Sequence, residues 1–425
     1  MPVAVEPSPA RAVLDHVGRG ADLIVPLANG EPVTLLDVLE AAAEDLESVR
    51  VHQMHALHDR RYLHGKFGDR LRHVSYFLSH VTRPCFHEGT VDLVPNNFSE
   101  MRDILRARTR DPLVLATSSP PDRHGYFSLG LNADYVSSFI GRARFFLEAN
   151  RQVPRTFGRN QIHVSQVVGW SEADYRLVEV PPPALAEDDR RIAAFVAERI
   201  RNGATLQTGI GAIPNAILSA LVGHRDLGVH TELLSDGVMD LVERGVVTGV
   251  AKQLNRTKAV GTFALGTKVL YDFLDENAAF ELWPVRYVND PRVIAQEANF
   301  VSINSSIAVD LLGQCASETV QGAYYSSSGG QADFARGAMY SDGGQGFVVL
   351  HSTAREGTIS KIVPQLAAGD VVTTLKNTVD KVVTEWGVAE LRGRSIRERA
   401  GALISIAHPH HRDRLRHDAT RLGFL

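Results

Sequence analysis

Residues 203–237 read GATLQTGIGAIPNAILSALVGHRDLGVHTELLSDG, and the order of pieces within this stretch decides the fold. Residues 204–208 form a short run suited to a strand, and Gly209 to Gly211 supply a tight turn. An apolar stretch of helical period follows, with Pro214 where a first helical position tolerates a missing N–H and Gly223 closing the helix. Residues 227–232 then return as a second strand. A strand, helix and strand joined this way cross over right-handedly, which lays the strands parallel and puts their carboxyl ends on one edge. Open α/β sheets bind ligands at that edge. Gly209, Gly211 and Glu232 are therefore expected at one site.

Glu232 is the oddity of the stretch, one acid inside a leucine-rich run. A carboxylate in an apolar site must raise its pKa or find donors. Three readings stand for it: a surface residue, an ion-pair partner, or the group that does chemistry. The two glycines let backbone come close to a ligand, and the free N–H groups of the following helix suit an oxyanion or a phosphate. A plain packing turn is the alternative. A full dinucleotide fingerprint needs a third glycine near position 214, where Pro214 stands, which argues against a nicotinamide site.

Working outward, apolar runs such as ADLIVPLA (21–28), PLVLATSS (112–119), KAVGTFALG (258–266), GFVVLHST (346–353) and DKVVTEWG (380–387) alternate with segments of helical period. That alternation predicts an α/β fold with open, largely parallel sheets. A chain of 425 residues exceeds one ordinary core, and the prolines of VEVPPPALAEDDRR (178–191) mark the boundary. Two domains are expected, 1–183 and 184–425, with a helix opening between Ala184 and Asp189. A net charge of -4 gives no general attraction to nucleic acid or to an anionic membrane. Cys85 and Cys315, the only cysteines, make no disulfide framework, and a cytoplasmic setting is expected. The amino terminus lacks a basic start followed by an apolar core, and no run of about 18 apolar residues occurs, so neither export nor a membrane span is expected.

Several longer motifs carry a likeness. TGIGAIPNAIL (208–218), HTELLSDG (230–237), the stretch 284–314, SSSGGQADFARGA (326–338) and the stretch 382–409 resemble the acetyl-CoA hydrolase/transferase family of class I CoA transferases, in particular its 4-hydroxybutyrate CoA-transferase branch. GKFGDRLRHVSYFLSH (65–80) and TSSPPDRHGYFSLG (117–130) are similar to the amino-terminal domain of that family, so the likeness is nearly full length. The resemblance implies two similar α/β domains with the active site between them and a glutamate that becomes a glutamyl-CoA thioester. Carried onto this chain, the glutamate is Glu232, with Gly209, Ile210, Gly211, Ala212 and Ile213 lining the CoA side. It also implies Glu385 as a supporting residue, a homodimer, and acyl-CoA with a carboxylic acid as substrates; no metal is called for.

The residue types suit that chemistry. A partly desolvated carboxylate aimed at a thioester carbonyl is a competent nucleophile. Each tetrahedral oxyanion needs fixed N–H donors, a role that fits Gly209 to Gly211. A second cradle is expected at Gly329, Gly330 and Gln331, facing CoA or the substrate carboxylate, with Asp333 and Arg336 holding the loop by an internal ion pair. Arg355 and Lys361 are candidates for the CoA phosphates, with a solvated basic face as the alternative. His52, His55 and His58 share an i, i+3 spacing that would place them on one helical face, yet no carboxylate or cysteine partner has metal-ligand spacing. His408, His410, His411 and His417 are read as part of a surface helix after Pro409. Departures from the family fall at Lys376, Thr378, Ala308 and Trp386, the last where tyrosine is usual, and they bear on substrate choice. The expected activity is acyl-CoA:carboxylate CoA transfer; acyl-CoA hydrolysis through the same glutamate and non-catalytic CoA binding are the alternatives.

Overall fold

The computed structural model describes residues 6–425. They make two compact units. The first runs to Pro181 and takes in Val260–Val288; the second comprises Pro182–Ala259 and Asn289–Leu425. The break therefore falls within the triple proline. Residues 260–288 depart from the division at 183/184: they pack with the first unit rather than the second. There Glu281 and Leu282 pair in parallel with Phe157 and Gly158, and Val285 is buried in the first unit's core.

Seven strands build the first unit's main sheet: β1 (Asp22–Ile24), β2 (Val49–Gln53), β3 (Leu71–Ser75), β4 (Asp92–Leu93), β5 (Leu113–Ser118), β6 (Arg144–Asn150) and β7 (Gly169–Ala173). Their order is β7-β6-β5-β1-β2-β3-β4, and every neighbouring pair is parallel. Such a sheet must be covered on both faces, and successive side chains alternate between two cores. Ile24, Val114 and Phe145 enter one core, whereas Leu23, Val25, Leu113, Leu115 and Phe146 enter the other.

The second unit carries β8 (Thr205–Thr208), β9 (Gly228–Val229), β10 (Phe300–Ser305), β11 (Gln345–Val349), β12 (Lys381–Thr384) and β13 (Gly387–Glu390). Their order is β9-β8-β10-β11-β12-β13, parallel throughout except for the terminal hairpin β12–β13. Both units thus hold the open, largely parallel sheets expected of the chain. Helix α1 (Glu187–Ala197) starts just after the prolines, and Asp189 accepts from the Ala186 N–H at 2.8 Å to close its first turn. Helix α2 (Ala212–Ala220) joins β8 to β9, with Pro214 inside the first turn, where its missing N–H costs no intrahelical bond.

The histidine trio does not share a helix face. His52 lies on β2, whose Val49 and Val51 set a two-residue period, and its ring bonds the Tyr76 hydroxyl and Asp22. His58 instead lies 3.3 Å from Glu31, a buried carboxylate that also binds Arg60. Helix α3 (Gln331–Tyr340) precedes β11, and after Pro409 the chain makes a short turn and then α4 (Arg412–Arg421). Among the described residues no helix is long and apolar enough to cross a membrane.

Candidate active site

The site begins where β8 and β9 end. Thr205 faces Gly228 and Leu206 faces Val229 in parallel register. The pairing continues past the strands, because the His230 N–H donates to Leu206 O at 3.0 Å and the Thr231 hydroxyl donates to Thr208 O at 3.2 Å. The next residue is Glu232, so the sheet itself delivers the acid to its carboxyl edge. On the neighbouring strand the glycine turn leaves the same edge, anchored by the Gly209 N–H on Ile303 O at 3.1 Å. Gly211 has φ 119°, a conformation that an L side chain strains to adopt, and it caps the start of α2. Within the turn Ile210 is 62% exposed, Ala212 is half-buried and Ile213 turns into the core.

Glu232 is held from the opposite side by two groups that sequence reasoning gave no such role. The Asn289 side-chain amide donates to Glu232 Oε2 at 2.8 Å. The backbone N–H of Gly330, at the start of α3, also bonds the carboxyl. A Cβ at position 330 would lie 2.1 Å from Glu232 Oε2 and 2.2 Å from Asn289 Nδ2, so only glycine lets the loop come this close. Asn289 was missed because it sits 57 residues from its partner; the local pattern, an Asn ahead of Asp290-Pro291, says only that a short helix begins.

Electrostatics single out the same acid. The pKa of Glu232 is raised from 4.5 to about 7, mainly because burial disfavours its charge. The Asn289 amide opposes the rise, the like charge of Asp333 adds to it, and the Gly330 N–H opposes it. Asp333 is buried on the first turn of α3 and raises the pKa of Glu232 by its like charge, while Arg336 is exposed. Gln331 is buried, and its Nε2 has no hydrogen-bond partner among the described residues; neither has the Asn289 Oδ1.

Glu385 occupies the same carboxyl edge four positions along the strand order, at the end of β12. Its carboxyl accepts from the Ser352 N–H at 2.9 Å and from the Ser352 hydroxyl. Those bonds brace the loop after β11 and do not involve Glu232. Lys361, whose pKa burial lowers and Glu385 pushes back up, lies near that brace, and Arg355 is exposed on a tight turn with φ 49°.

A desolvated glutamate held by N–H donors thus lies on the ligand edge of a parallel sheet, and two models of one family match most of the chain. Residues 8–197 match the acetyl-CoA hydrolase/transferase N-terminal domain and residues 266–419 match the C-terminal domain. The chain belongs to the acetyl-CoA hydrolase/transferase family and is an enzyme of the CoA-transferase type. It is 43% identical over 408 residues to succinyl-CoA:cyclohexane-1-carboxylate CoA transferase of Geobacter metallireducens, covering 96% of this chain and 93% of that one. It is 41% identical over 408 residues to 4-hydroxybutyrate coenzyme A transferase of Clostridium kluyveri, covering 96% and 95%. Among solved structures, RipA from Yersinia pestis superposes with a TM-score of 0.94 at 36% identity, covering 98% of each chain.

Proposed function

We infer that this protein moves CoA between carboxylic acids by ping-pong turnover through Glu232. The carrying observation is the pair of donors, Asn289 and Gly330, on the carboxyl of a desolvated glutamate. Glu232 attacks the carbonyl carbon of an acyl-CoA, the C–S bond breaks, and a mixed anhydride and CoA thiolate result. The thiolate then attacks the Glu232 carbonyl carbon, expelling the acyl group as its carboxylate and leaving Glu232 as the CoA thioester. An incoming carboxylate reverses both steps and leaves as the new acyl-CoA.

The two attacks place negative charge on different oxygens. In the first, the oxyanion develops on the substrate carbonyl, and the amides of Ile210 and Gly211 are the donors assigned to it, while the Gly209 N–H, bonded to Ile303 O, anchors the turn. In the second it develops on the oxygen of Glu232 itself, which Asn289 and Gly330 already contact. Gly329 and Gln331 complete that second cradle, and Ala212 with Ile213 supports the turn on the CoA side. Glu385 acts at a remove, through Ser352. Transfer is preferred over hydrolysis because the two relatives similar over nearly the full chain are named as transferases. A homodimer belongs to the same reading and rests on family likeness, while a cytoplasmic setting rests on the two unpaired cysteines; light scattering checks the dimer.

The deciding experiment is intact mass after mixing with an acyl-CoA. A covalent CoA adduct on Glu232, discharged by added carboxylate with formation of a new acyl-CoA, is expected. An adduct on another residue, or one that survives Glu232→Ala, overturns the assignment; thiol release that ignores added carboxylate makes the enzyme a hydrolase.

A further inference from the structure

Helix α3 meets Glu232 with its amino end. Gly330 is the N-cap of α3, and its N–H, the donor that a capping box gives to the acid at the third helical position, here bonds the Glu232 carboxyl. Two other helices of the second unit show the ordinary arrangement. In α1 Asp189 accepts from the Ala186 N–H at 2.8 Å, and in the helix Ile396–Ser405 Glu398 accepts from the Ser395 N–H at 2.8 Å. The third helical position of α3 is also an acid, Asp333, and it is only 6% exposed. Its charge is therefore kept inside, on the same turn that touches Glu232.

An acid in a first helical turn is ordinarily explained by the positive helix end it meets. In α3 that end is already met by Glu232, so a second buried carboxylate adds like-charge repulsion. The repulsion has a use in the reaction. A helix amino end and two N–H donors all favour the charged carboxylate and so weaken it as a nucleophile, and Asp333 works against them. The other titratable groups around Glu232 are engaged elsewhere. Asp290, next to Asn289, is tied to Arg292 at 2.7 Å, His230 turns its ring edge-on to Phe300 at 6.2 Å, and Glu385 is held by Ser352. Asp236 lies in the first turn of the helix Asp236–Glu243.

We propose that Asp333 is a positioning residue for CoA transfer: its inward carboxylate offsets the positive end of α3 at Glu232 and so preserves the strength of the nucleophile. The inference rests on the CoA-transfer reading above, in which Glu232 attacks the thioester. Without the charge of Asp333 the helix end acts unopposed, so Glu232 ionises more readily and attacks more slowly. A charge at a helix first turn is commonly worth roughly 2- to 5-fold in an equilibrium, and more where it is buried.

The test reads the ionisation of Glu232 by infrared titration of the full-length protein, its C=O band assigned as the one lost in Glu232→Gln. Asp333→Asn should raise the ionisation constant by roughly 5-fold or more, moving the midpoint to lower pH, and Asp333→Glu should stay within roughly 2-fold of wild type. Asp333→Ser, whose hydroxyl also suits a first turn, should move the midpoint in the same direction and serves if the Asn variant does not fold. With acyl-CoA, intact mass should show the CoA adduct forming roughly 2- to 5-fold more slowly in Asp333→Asn at about pH 9, where Glu232 is charged in both proteins. A midpoint that stays in place or rises overturns the proposal, and so does a slower adduct without a shifted midpoint, which is what a purely structural role predicts. The two readings fail separately. A midpoint moved by Asp333→Asn with no CoA adduct on Glu232 upholds the charge effect and sinks the transfer mechanism, whereas an adduct on Glu232 whose midpoint ignores Asp333 sinks the role of Asp333 alone.

Discussion

Replacing Glu232 by glutamine should make the protein more stable at alkaline pH while removing its activity. The carboxyl has a folded pKa of about 7 against an ordinary 4.5, chiefly through burial. An acid whose pKa is raised by folding contributes its stability fully below about pH 4.5, loses it as pH rises, and has lost it above about pH 7. A shift of about two and a half units, at about 1.4 kcal/mol each, means that the charged glutamate costs the folded state about 3 kcal/mol at pH 8. Glutamine is the same shape, keeps a carbonyl oxygen for Asn289 and Gly330, and carries no charge to oppose Asp333. In a unit of roughly 200 residues about 3 kcal/mol corresponds to a rise in Tm of roughly 6–12 °C. Scanning calorimetry of wild type and Glu232→Gln at pH 8 and at pH 4.5 checks this: the gain should be present at the higher pH and nearly vanish at the lower, where both side chains are neutral. A variant no more stable than wild type at pH 8, or a gain of equal size at both, refutes the reasoning, because desolvated charge would then not be what Glu232 contributes.

Three further outcomes follow from the same geometry and from the first unit. Gly330→Ala keeps an ordinary backbone, since φ is -98°, but drives a methyl into Glu232 and Asn289; an unchanged circular dichroism spectrum with kcat/KM lowered by more than roughly 100-fold is expected, and activity within about 2-fold of wild type would contradict it. Asn289→Ala removes one donor that lowers the pKa of Glu232, so the rate of CoA-adduct formation should fall by roughly 100- to 1,000-fold and its pH profile should move to higher pH; a shift to lower pH would reverse the assigned sign. In the first unit, burial lowers the pKa of His73 to about 3 and that of His55 to about 4. Because both folded values lie below 6.5, stability from these rings is present above about pH 6.5 and is lost as pH falls, by roughly 1.4 kcal/mol per pH unit for each ring. Denaturant melts of that unit's signal from pH 6.5 to 4.5 should show a loss, offset in part by buried Asp134, whose pKa is raised to about 6, and His73→Phe should cut the net loss by more than half; a flat profile would mean that the rings escape or rehydrate before they charge.

How much of this was legible beforehand depends on how far apart the interacting residues lie in sequence. The stretch from Gly203 to Gly237 encodes its own geometry, because a glycine turn, a helix and a returning strand leave one right-handed solution, and β8 and β9 pair in parallel as that solution requires. Glu232 was therefore placed on the ligand edge by local information alone. Asn289 was not, since nothing near it in sequence marks an amide that will meet a glutamate across the fold. The same limit explains residues 260–288: their apolar pattern is that of any α/β segment, and it is long-range contacts, such as the pairing of Glu281 and Leu282 with Phe157 and Gly158, that assign them to the first unit. His52 failed for a different reason, because an i, i+3 histidine spacing was read over a run whose valines already set a strand period.

His55, His73 and Glu31 in the first unit and Glu232 in the second answer acid in opposite senses, and that opposition bears on mechanism. In the first, buried His55 and His73 and the buried Glu31, whose pKa is lowered to about 2, bind fewer protons folded than unfolded, so acid acts against these three, while buried Asp134, raised to about 6, acts the other way. Glu31 is the ordinary solution to a buried charge: desolvation acts against it, and His58 and Arg60 more than offset that. Glu232 faces the same desolvation without a cation, and its nearest charge, Asp333, has the wrong sign. Supplying an arginine there would stabilise the fold and lower the pKa, but it would also quiet the nucleophile. On the proposed mechanism, two neutral donors instead leave the carboxylate basic enough to attack a thioester, and they stand where the oxyanion of the glutamyl carbonyl would form. What distinguishes the two buried glutamates is thus the kind of partner each has been given, a cation for the one that holds the fold and amides for the one proposed to react.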